Sequence, residues 1–367
     1  MKIVHIAECA GGVDRYLEML LPRLRDEYEQ VFICSQNYNA SKYQGIANQV
    51  EQIDMEQSFS PVNIVKQVRQ IKSLLKKHKP DIVYCHSSFA GSLGRVAAMG
   101  MKCKVVYNPH GWAFNIKGNK ASAYRIIEKL LARITDVIIC ISKAEYQSAV
   151  RNHIDSGKKL FLIENGIEVN AVEAATPIDK KLLGIPEDAY VVGMLGRLTP
   201  QKAPDVFIRA AKQINEKISN AFYVIVGNGE QEEEVRQYAR ANGIRLLVTG
   251  WVDNPYSYLK LFDVAVLLSR WEGFGLAIAE YMAAEKNFVA TRVDAIPTIV
   301  DDGIDGLLVN ADSPQEVADK VWFYYTHPDE SKRMREMAKD KVIQKYDVSR
   351  VALQHKGIFR KSPAPRH

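Results

Sequence analysis

The sequence predicts an α/β protein built from two doubly wound parallel-sheet domains. Apolar, β-rich runs alternate with helical segments from Ile3 to about Ile167, and the alternation restarts at Tyr190 and lasts to about Val309. The segment between them, residues 168–186, is acidic, alanine-rich and irregular, which is typical of a linker. A chain of 367 residues is long enough for two domains of the usual size. We therefore assign residues 1–170 and 171–345 to the two domains, and 346–367 to a C-terminal segment.

Two predicted strands of the N-terminal half end near residues suited to a ligand site. The first, Ile3–Ile6, runs into the Gly11-Gly12 turn, which opens a helix. Glycine pairs usually mark only a tight turn, so this signal is weak by itself. The second, Lys104–Tyr107, ends just before His110. A lone histidine at a strand end is more often structural than catalytic, but open α/β sheets bind ligands at this edge.

The next strands continue the alternation into the second half. They are predicted at Asp136–Ile141, Leu160–Glu164, Tyr190–Leu195, Phe222–Val226 and from Leu246 onward. The strand that ends at Leu195 leads into a turn that carries Arg197 and Lys202. One fork-shaped and one point-like cation suit a diphosphate at neutral pH. Two isolated cations would indicate only a solvated loop, but their position directly after a buried strand favours phosphate binding.

The turn that follows Phe262–Leu268 carries the most chemical information. That apolar run has the character of a buried parallel strand, and a helix is predicted from Leu276 to Ala284. The peptide N–H groups of Phe274, Gly275 and Leu276 would then point outward from a helix N-terminus. Such a terminus is an anion-binding site.

Two carboxylates flank this turn. Glu272 precedes it and Glu280 lies eight positions later. At about 100° per residue, the two side chains would be offset by only about 80° around a helix. One carboxylate could therefore meet a sugar and the other a ribose.

The E-G-F-G-L segment, followed by glutamate after seven residues, resembles the signature of retaining glycosyltransferases of family 4, which have the GT-B fold. The Ser142-Lys143 and Asn165-Gly166-Ile167 turns are also similar to turns of that family. The resemblance implies two Rossmann-like domains facing across a cleft. It also implies a last helix, from about Arg350, that packs back on the N-terminal domain. We expect the tail, Lys361–His367, to be disordered.

The resemblance assigns a role to each candidate residue. The catalytic residues would be His110, Glu272, Arg197 and Lys202. The donor-binding residues would be Gly11, Gly12, Gly196, Arg197, Lys202, Val252, Phe274, Gly275, Leu276 and Glu280. In this assignment the cations neutralise the diphosphate, Glu280 accepts from the ribose, and the turn at Val252 borders the base. Glu272 would contact the donor sugar, and His110 would close over the sugar-phosphate bond with the Gly11-Gly12 turn.

The implied reaction is retaining, metal-independent transfer of a hexosyl or hexosaminyl unit from a nucleotide sugar, with UDP favoured over GDP. The acceptor would be a glycan or lipid-linked glycan of surface polysaccharide synthesis, and no cofactor besides the donor is expected. The chain departs from the family pattern at Asp294, Ala295 and Thr298, where many members have G-G-x-P-E. These side chains replace bare backbone and a carboxylate, so the sugar pocket would be narrower or differently hydrogen-bonded.

Three other functions compete with this interpretation. A sugar-nucleotide epimerase can share the architecture, although the E-G-F-G-L element favours a transferase. A nicotinamide dehydrogenase is disfavoured because position 232 is Glu, so that Gly227-Asn228-Gly229 does not complete G-x-G-x-x-G. A catalytically silent nucleotide-sugar binder would be distinguished by its lack of turnover.

Charge divides unevenly between the halves. Residues 1–170 contain 23 Lys and Arg against 16 Asp and Glu, a net charge of +7, whereas the remainder is close to neutral. Much of the excess lies in the predicted helix Val62–Lys79, whose apolar stripe would pack on the sheet. The simpler interpretation is that the basic face of this helix is solvated. The more specific one is that the basic face is attracted to an anionic membrane. No nucleic-acid-binding motif accompanies the charge.

The remaining features are those of an ordinary globular protein. No apolar run approaches the ~20 residues of a membrane span, and the N-terminus lacks a secretory apolar region. We expect a cytoplasmic protein, with the inner face of the membrane as its one candidate attachment. The five cysteines are scattered, which predicts reduced, inert thiols. Cys85 and His86 are adjacent but would point in different directions from a strand, so we do not assign them a catalytic role.

Overall fold

The computed structural model describes residues 1–9, 11–58, 60–115 and 120–360. It divides into two compact units, Gly166–Asp347 and Met1–Asn165 together with the chain from Val348 onward. The last helix is therefore part of the N-terminal unit. The boundaries that the sequence suggests, after residues 170 and 345, lie a few residues from this division. The prediction for Lys361–His367 falls outside the described residues.

Each unit contains one parallel sheet. The N-terminal sheet has the order β3-β2-β1-β4-β5-β6-β7 and the C-terminal sheet the order β10-β9-β8-β11-β12-β13. The first sheet comprises β1 (Lys2–Ala7), β2 (Glu29–Cys34), β3 (Gln49–Gln52), β4 (Ile82–His86), β5 (Lys104–Asn108), β6 (Val137–Cys140) and β7 (Leu160–Leu162). The second comprises β8 (Tyr190–Leu195), β9 (Ala221–Val226), β10 (Leu246–Val248), β11 (Val264–Leu267), β12 (Asn287–Thr291) and β13 (Leu307–Val309).

Helices connect the strands on both faces of each sheet. In the N-terminal unit they are α1 (Gly12–Leu24), α2 (Ala40–Tyr43), α3 (Pro61–His78), α4 (Ser88–Ala97), α5 (Ala121–Ala132) and α6 (Lys143–Arg151). In the C-terminal unit they are α7 (Val169–Glu173), α8 (Pro204–Asn215), α9 (Glu232–Ala241), α10 (Pro255–Leu259), α11 (Leu276–Ala283), α12 (Ile296–Ile299), α13 (Pro314–Thr326) and α14 (Pro328–Lys345). The chain then returns to the first unit as α15 (Val348–Arg360).

Side-chain alternation along β1 shows how the N-terminal sheet is covered. Val4 and Ile6 belong to the core cluster that includes residues of α3 and α4. Ile3 and Ala7 point to the opposite face, in the cluster that includes residues of α1 and α15. His5 therefore faces α1 and α15, because successive strand residues point to opposite faces of a sheet.

The burial of the cysteines and the composition of the helices are those of an ordinary globular protein. All five cysteines lie within the described residues and form no disulfide there, and four of them are buried. Burial raises the pKa of the Cys85 thiol to about 12, which keeps it protonated and unreactive at neutral pH. Within the described ranges, no helix is both long and apolar enough to span a bilayer.

Candidate active site

The C-terminal sheet brings two predicted loops together. Its strand order reverses between β8 and β11, and open α/β sheets bind ligands beyond the carboxyl ends of the strands at such a point. The loop Gly196–Lys202 follows β8, and the segment Ser269–Gly275 follows β11. Parallel pairing of these two strands places both loops at one edge of the sheet.

Lys202 and Glu272 form an ion pair between the two loops. The side chains are largely shielded, with 18% of the lysine and 8% of the glutamate exposed. Ser269 Oγ donates a hydrogen bond of 2.7 Å to the same carboxylate oxygen of Glu272. The ammonium and the carboxylate thus neutralise each other, and the carboxylate is held in place from a second side. Arg197, on the same loop as Lys202, is exposed.

Glycines hold the first loop against its neighbour. Gly196 has a φ of 147°, which favours glycine. A Cβ on Gly227 would lie 2.1 Å from the carbonyl oxygen of Gly196, and one on Gly229 would lie 2.3 Å from that of Leu198. The Leu198 N–H donates to the Asn228 carbonyl at 2.9 Å. The Gly227-Asn228-Gly229 turn therefore supports the cationic loop, a role that the sequence analysis missed although it noted the turn.

Asp294 alters the backbone around Glu272. This residue has a φ of 43°, in the left-handed region, and its Oδ2 accepts a 2.9 Å hydrogen bond from the Glu272 N–H. The side chain therefore takes up an N–H group that would otherwise be available to a ligand. The narrower or differently hydrogen-bonded sugar pocket that this departure implies stays a prediction.

The predicted offset of about 80° between Glu272 and Glu280 requires both residues to lie on one helix, and they do not. Helix α11 begins at Leu276, so Glu272 lies outside it, and the 80° offset between Glu272 and Glu280 was wrongly inferred. The helix begins after Gly275, at a φ of 92°, with no side-chain cap. Its first N–H groups therefore lack the usual side-chain acceptor, as an anion site requires.

Glu280 is positioned from a different element. Tyr256 on α10 donates a 3.0 Å hydrogen bond to Glu280 Oε1. Helix α10 follows the turn that contains Val252, so the turn expected to border the base leads directly to the residue that orients Glu280. Tyr256 is therefore a further candidate site residue, and it carried no sequence signal.

His110 lies in the N-terminal unit, in strained backbone. Its φ is 52°, and its N–H donates to Asn108 Oδ1 at 3.1 Å. Its Nε2 lies 3.1 Å from Nδ1 of His86, so His86, which the sequence analysis set aside, is its direct partner. Burial lowers the pKa of His110 to about 3. Gly11 precedes α1 with a φ of 87°.

Comparison with known proteins identifies the family. The model described as Glycosyltransferase Family 4 matches residues 10–171, and Glycosyl transferases group 1 matches residues 176–341. A UDP-Gal:alpha-D-GlcNAc-diphosphoundecaprenol alpha-1,3-galactosyltransferase of Escherichia coli is 31% identical over 84% of this chain and 84% of its own. The chain belongs to glycosyltransferase family 4.

Solved structures show the fold of this family 4 glycosyltransferase. A sucrose-phosphate synthase of Thermosynechococcus elongatus superposes with a TM-score of 0.84 at 18% identity, over 98% of both chains. HepE of Anabaena in complex with UDP-glucose superposes with a TM-score of 0.81 at 19% identity, over 98% of this chain and 99% of that one. The predicted family and GT-B fold are confirmed, and glycosyl transfer replaces the epimerase and dehydrogenase alternatives.

The residues predicted for this glycosyltransferase fall into two groups. The C-terminal unit holds the cationic loop, Val252, Glu272, the start of α11 and Glu280, whereas His110 and Gly11-Gly12 belong to the N-terminal unit. Across residues 1–9, 11–58, 60–115 and 120–360, no group of three or more His, Cys, Asp or Glu side chains is arranged to hold a metal ion.

Proposed function

We propose that this glycosyltransferase transfers a hexosyl or hexosaminyl unit from a UDP sugar, with retention, to a lipid-diphosphate-linked glycan in surface polysaccharide synthesis. The observation that carries the proposal is the Escherichia coli relative, 31% identical over 84% of both chains, whose name gives UDP-Gal as donor and GlcNAc-diphosphoundecaprenol as acceptor. The HepE structure with UDP-glucose supports UDP as the nucleotide.

The Lys202–Glu272 ion pair supports a specific order of events at the donor. A diphosphate carries more negative charge than one carboxylate, so it would compete with Glu272 for the Lys202 ammonium. Once Lys202 turns to the diphosphate, the Glu272 carboxylate is released to accept hydrogen bonds from donor-sugar hydroxyls. Donor binding would thus prepare Glu272 for its own contact.

The same residues would stabilise the departing nucleotide. Charge grows on the diphosphate as the bond to the sugar breaks, and fixed cations with a helix N-terminus oppose that charge without reorganisation. Arg197, Lys202 and the start of α11 would supply this environment without a metal, and Glu280, oriented by Tyr256, would hold the ribose. The contact of His110 and Gly11-Gly12 with the sugar-phosphate bond stays a prediction.

Thermal stabilisation tests the donor first, because a ligand that binds only the folded state raises the Tm. The purified protein would be heated with UDP, GDP and their sugars, with and without EDTA. We expect the largest shift with a UDP sugar, and no effect of EDTA. No shift with any sugar nucleotide would overturn the proposed donor.

Transfer to a synthetic GlcNAc-diphosphate lipid then tests the reaction. Nuclear magnetic resonance of the product would show the α configuration if the donor's anomeric configuration is retained. A shift without turnover on this or other glycan acceptors would indicate the silent binder. A β-linked product would contradict retention and leave the donor assignment standing.

We also propose that the N-terminal unit contacts an anionic membrane. Helix α5 exposes Ile126, Ile127 and Leu130, at 58%, 44% and 53%, beside Arg125 and Lys129. Apolar side chains flanked by cations are suited to the headgroup region of an anionic bilayer. An enzyme with a lipid-linked acceptor gains by working at that surface, which would be the inner face of the membrane.

The basic helix α3 adds charge to this unit. Its Ile71 and Leu75 are buried on the sheet, so its stripe packs as expected. Part of its charge is already paired, since Lys77 contacts Glu51 at 2.7 Å. We therefore give α5 the main role and α3 an electrostatic one.

Co-sedimentation with vesicles tests this contact. We expect binding to phosphatidylglycerol vesicles at low salt, and little binding to phosphatidylcholine vesicles. Leu130→Ser should weaken binding, whereas Leu182→Ser, at a leucine that is 79% exposed in the C-terminal unit, should not. Equal binding by the two variants, or none by the parent protein, would reject the role of α5.

A further inference from the structure

A row of buried polar side chains crosses the N-terminal sheet and ends at His110. Gln30 lies on β2, His5 on β1 and His86 at the end of β4, which are adjacent strands. His5 Nδ1 lies 3.3 Å from His86 Nε2, and His86 Nδ1 lies 3.1 Å from His110 Nε2. Gln30, His5 and His86 have no exposed surface, whereas His110 is partly exposed.

These contacts are hydrogen bonds and not the ligands of a shared metal ion. His86 uses one ring nitrogen toward His5 and the other toward His110, and within the described residues no group of three or more His, Cys, Asp or Glu side chains is arranged to hold a metal ion. The observed separations of 3.3 and 3.1 Å suit one proton between each pair of rings. Burial lowers the pKa of His5 and His110 to about 3, so at neutral pH each ring carries a single proton.

Gln30 determines which nitrogen of His5 carries that proton. Its Nε2 donates to the Leu21 carbonyl at 2.8 Å, which fixes the amide and leaves Oε1 as an acceptor. Gln30 Oε1 and His5 Nε2 are both buried without a partner among the described residues. Gln30 and His5 are diagonal neighbours on one face of the sheet, because β1 and β2 align Ile3 with Gln30 and His5 with Phe32. An unprotonated His5 Nε2 would place two acceptors beside each other, so the proton belongs on Nε2.

The position of the proton on each ring then determines its position on the next ring. With its proton on Nε2, His5 presents a lone pair at Nδ1, so His86 must donate from Nε2. His86 Nδ1 is consequently an acceptor, and His110 must donate from its own Nε2. The remaining nitrogen of His110, Nδ1, is left with a lone pair, and it bonds no protein group within the described residues.

The surroundings hold these rings in place. The Tyr16 ring packs against the His110 ring edge-on at 4.8 Å, and Asn108 fixes the His110 backbone. His355 on α15 lies next to this group, and its Nδ1 lies 2.8 Å from the Val351 carbonyl. Its Nε2 is therefore the acceptor for the Tyr16 hydroxyl at 2.8 Å. The Val351 carbonyl thus fixes the tautomer of His355, as the Gln30 side chain fixes that of His5.

We propose that Gln30, His5 and His86 are positioning residues that hold His110 as its Nε2–H tautomer, so that its Nδ1 accepts a hydrogen bond from a substrate hydroxyl. The identity of that hydroxyl as one of the transferred sugar or the acceptor rests on the proposed function. The tautomer of His110 does not, so the two can be tested separately.

Nuclear magnetic resonance of the full-length protein labelled with ¹⁵N-histidine tests the tautomer directly. Long-range ¹H–¹⁵N spectra distinguish protonated from unprotonated ring nitrogens, and loss of a signal in His110→Phe assigns His110. At pH 7 we expect a proton on Nε2 and none on Nδ1. A His110 protonated on Nδ1, or on both nitrogens, would overturn the proposal whether or not the protein transfers sugar.

Gln30→Met provides the test of the array, because it keeps the side-chain length and removes the acceptor. We expect His110 to become a mixture of tautomers. Gln67→Met is the matched control, since Gln67 is also buried, donates Nε2 to a backbone carbonyl and has an unpartnered Oε1. An unchanged His110 spectrum in folded Gln30→Met, or an equal change in the control, would reject the array.

Turnover provides a second readout where a transfer assay exists. Activity should fall with the fraction of molecules in the competent tautomer, roughly twofold if the two tautomers become equal. The dissociation constant for UDP should stay the same, because the array belongs to the N-terminal unit and the proposed diphosphate site to the other. A loss confined to UDP affinity would contradict the proposed role of His110.

Discussion

At the scale of single residues, the Lys202–Glu272 ion pair would explain, under the proposed function, how a cation and a carboxylate serve different parts of one donor. Both groups are largely shielded, and each satisfies the other in the structure described. A buried charge that loses its partner is costly, so the pair should open only when a stronger anion arrives. The proposed roles of Lys202 and Glu272 can therefore be distinguished by measuring donor binding and the rate of transfer separately.

Lys202→Ala should weaken UDP binding by about 1.5–3 kcal/mol, the usual contribution of a hydrogen bond to a charged group. Calorimetric titration of UDP measures the change. Lys212→Ala, at an exposed lysine on α8, is the control and should bind UDP as the parent does. Unchanged affinity in the Lys202 variant would remove the lysine from the diphosphate site.

Glu272→Gln should have the opposite pattern. Because the amide no longer neutralises Lys202, UDP should bind equally well or more tightly. The turnover number should fall at least about tenfold, since a charge-assisted contact to the sugar is lost. Titration and steady-state rates measured on the same preparation separate the two effects. Weaker UDP binding together with a normal rate would contradict the assignment.

At the scale of elements, the support of one loop by another can be tested at a glycine. Gly227→Ala would place a Cβ 2.1 Å from the Gly196 carbonyl oxygen, and rigid backbone cannot yield cheaply. We expect a loss of stability of about 1–3 kcal/mol from the clash and weaker UDP binding. Urea unfolding and UDP titration check both.

Gly243→Ala is the matched control for this prediction. It also has a positive φ, 63°, but a Cβ there meets no atom within 4 Å. It therefore carries the backbone strain of an alanine at positive φ without the clash. If both variants bind UDP equally, the Gly227 turn does not support the cationic loop.

Elements were predictable from the sequence where a local pattern specifies them. The strand β11 lies within the predicted Phe262–Leu268, and α11 ends one residue before the predicted Ala284. After β13 the chain forms two helices, α13 and α14, because Pro328 begins a new one. Patterns of apolar residues and of glycine and proline act over a few positions, so they report such boundaries well.

The missed site residues depend on contacts that cross strands. His5 and His86 are distant in the chain and become neighbours only because β1 and β4 pair. Tyr256 reaches Glu280 from a separate helix. Strand order and lateral contacts of this kind carry no local signal, so the sequence indicated His110 and Glu280 but not the residues that position them.

At the scale of the whole molecule, the N-terminal unit carries its own sensitivity to acid. Burial lowers the pKa values of four of its histidines, to about 3 for His5 and His110, to about 4 for His355, and well below normal for His86. In the unfolded chain these groups titrate near pH 6.5. Glu145 has the opposite tendency, since burial raises its pKa to about 7.

We therefore expect the free energy of unfolding of this unit to fall between pH 6.5 and pH 5. Below pH 6.5 these histidines are protonated in the unfolded chain but stay neutral in the folded unit. Each of them therefore lowers the free energy of unfolding by about 1.4 kcal/mol for each unit that the pH falls. Protonation of Glu145, and of Glu8, whose pKa burial also raises, stabilises the folded state as the pH falls, but these are two groups against four. Urea unfolding of this unit can be followed by the fluorescence of Trp112, its single tryptophan, after Trp251, Trp271 and Trp322 are replaced by Phe.

His355→Phe should reduce the pH dependence of the free energy of unfolding by the contribution of one histidine. The exposed His153→Ala should leave that dependence unchanged. A stability that holds or rises on acidification to pH 5 would contradict neutral, buried histidines and the array they form.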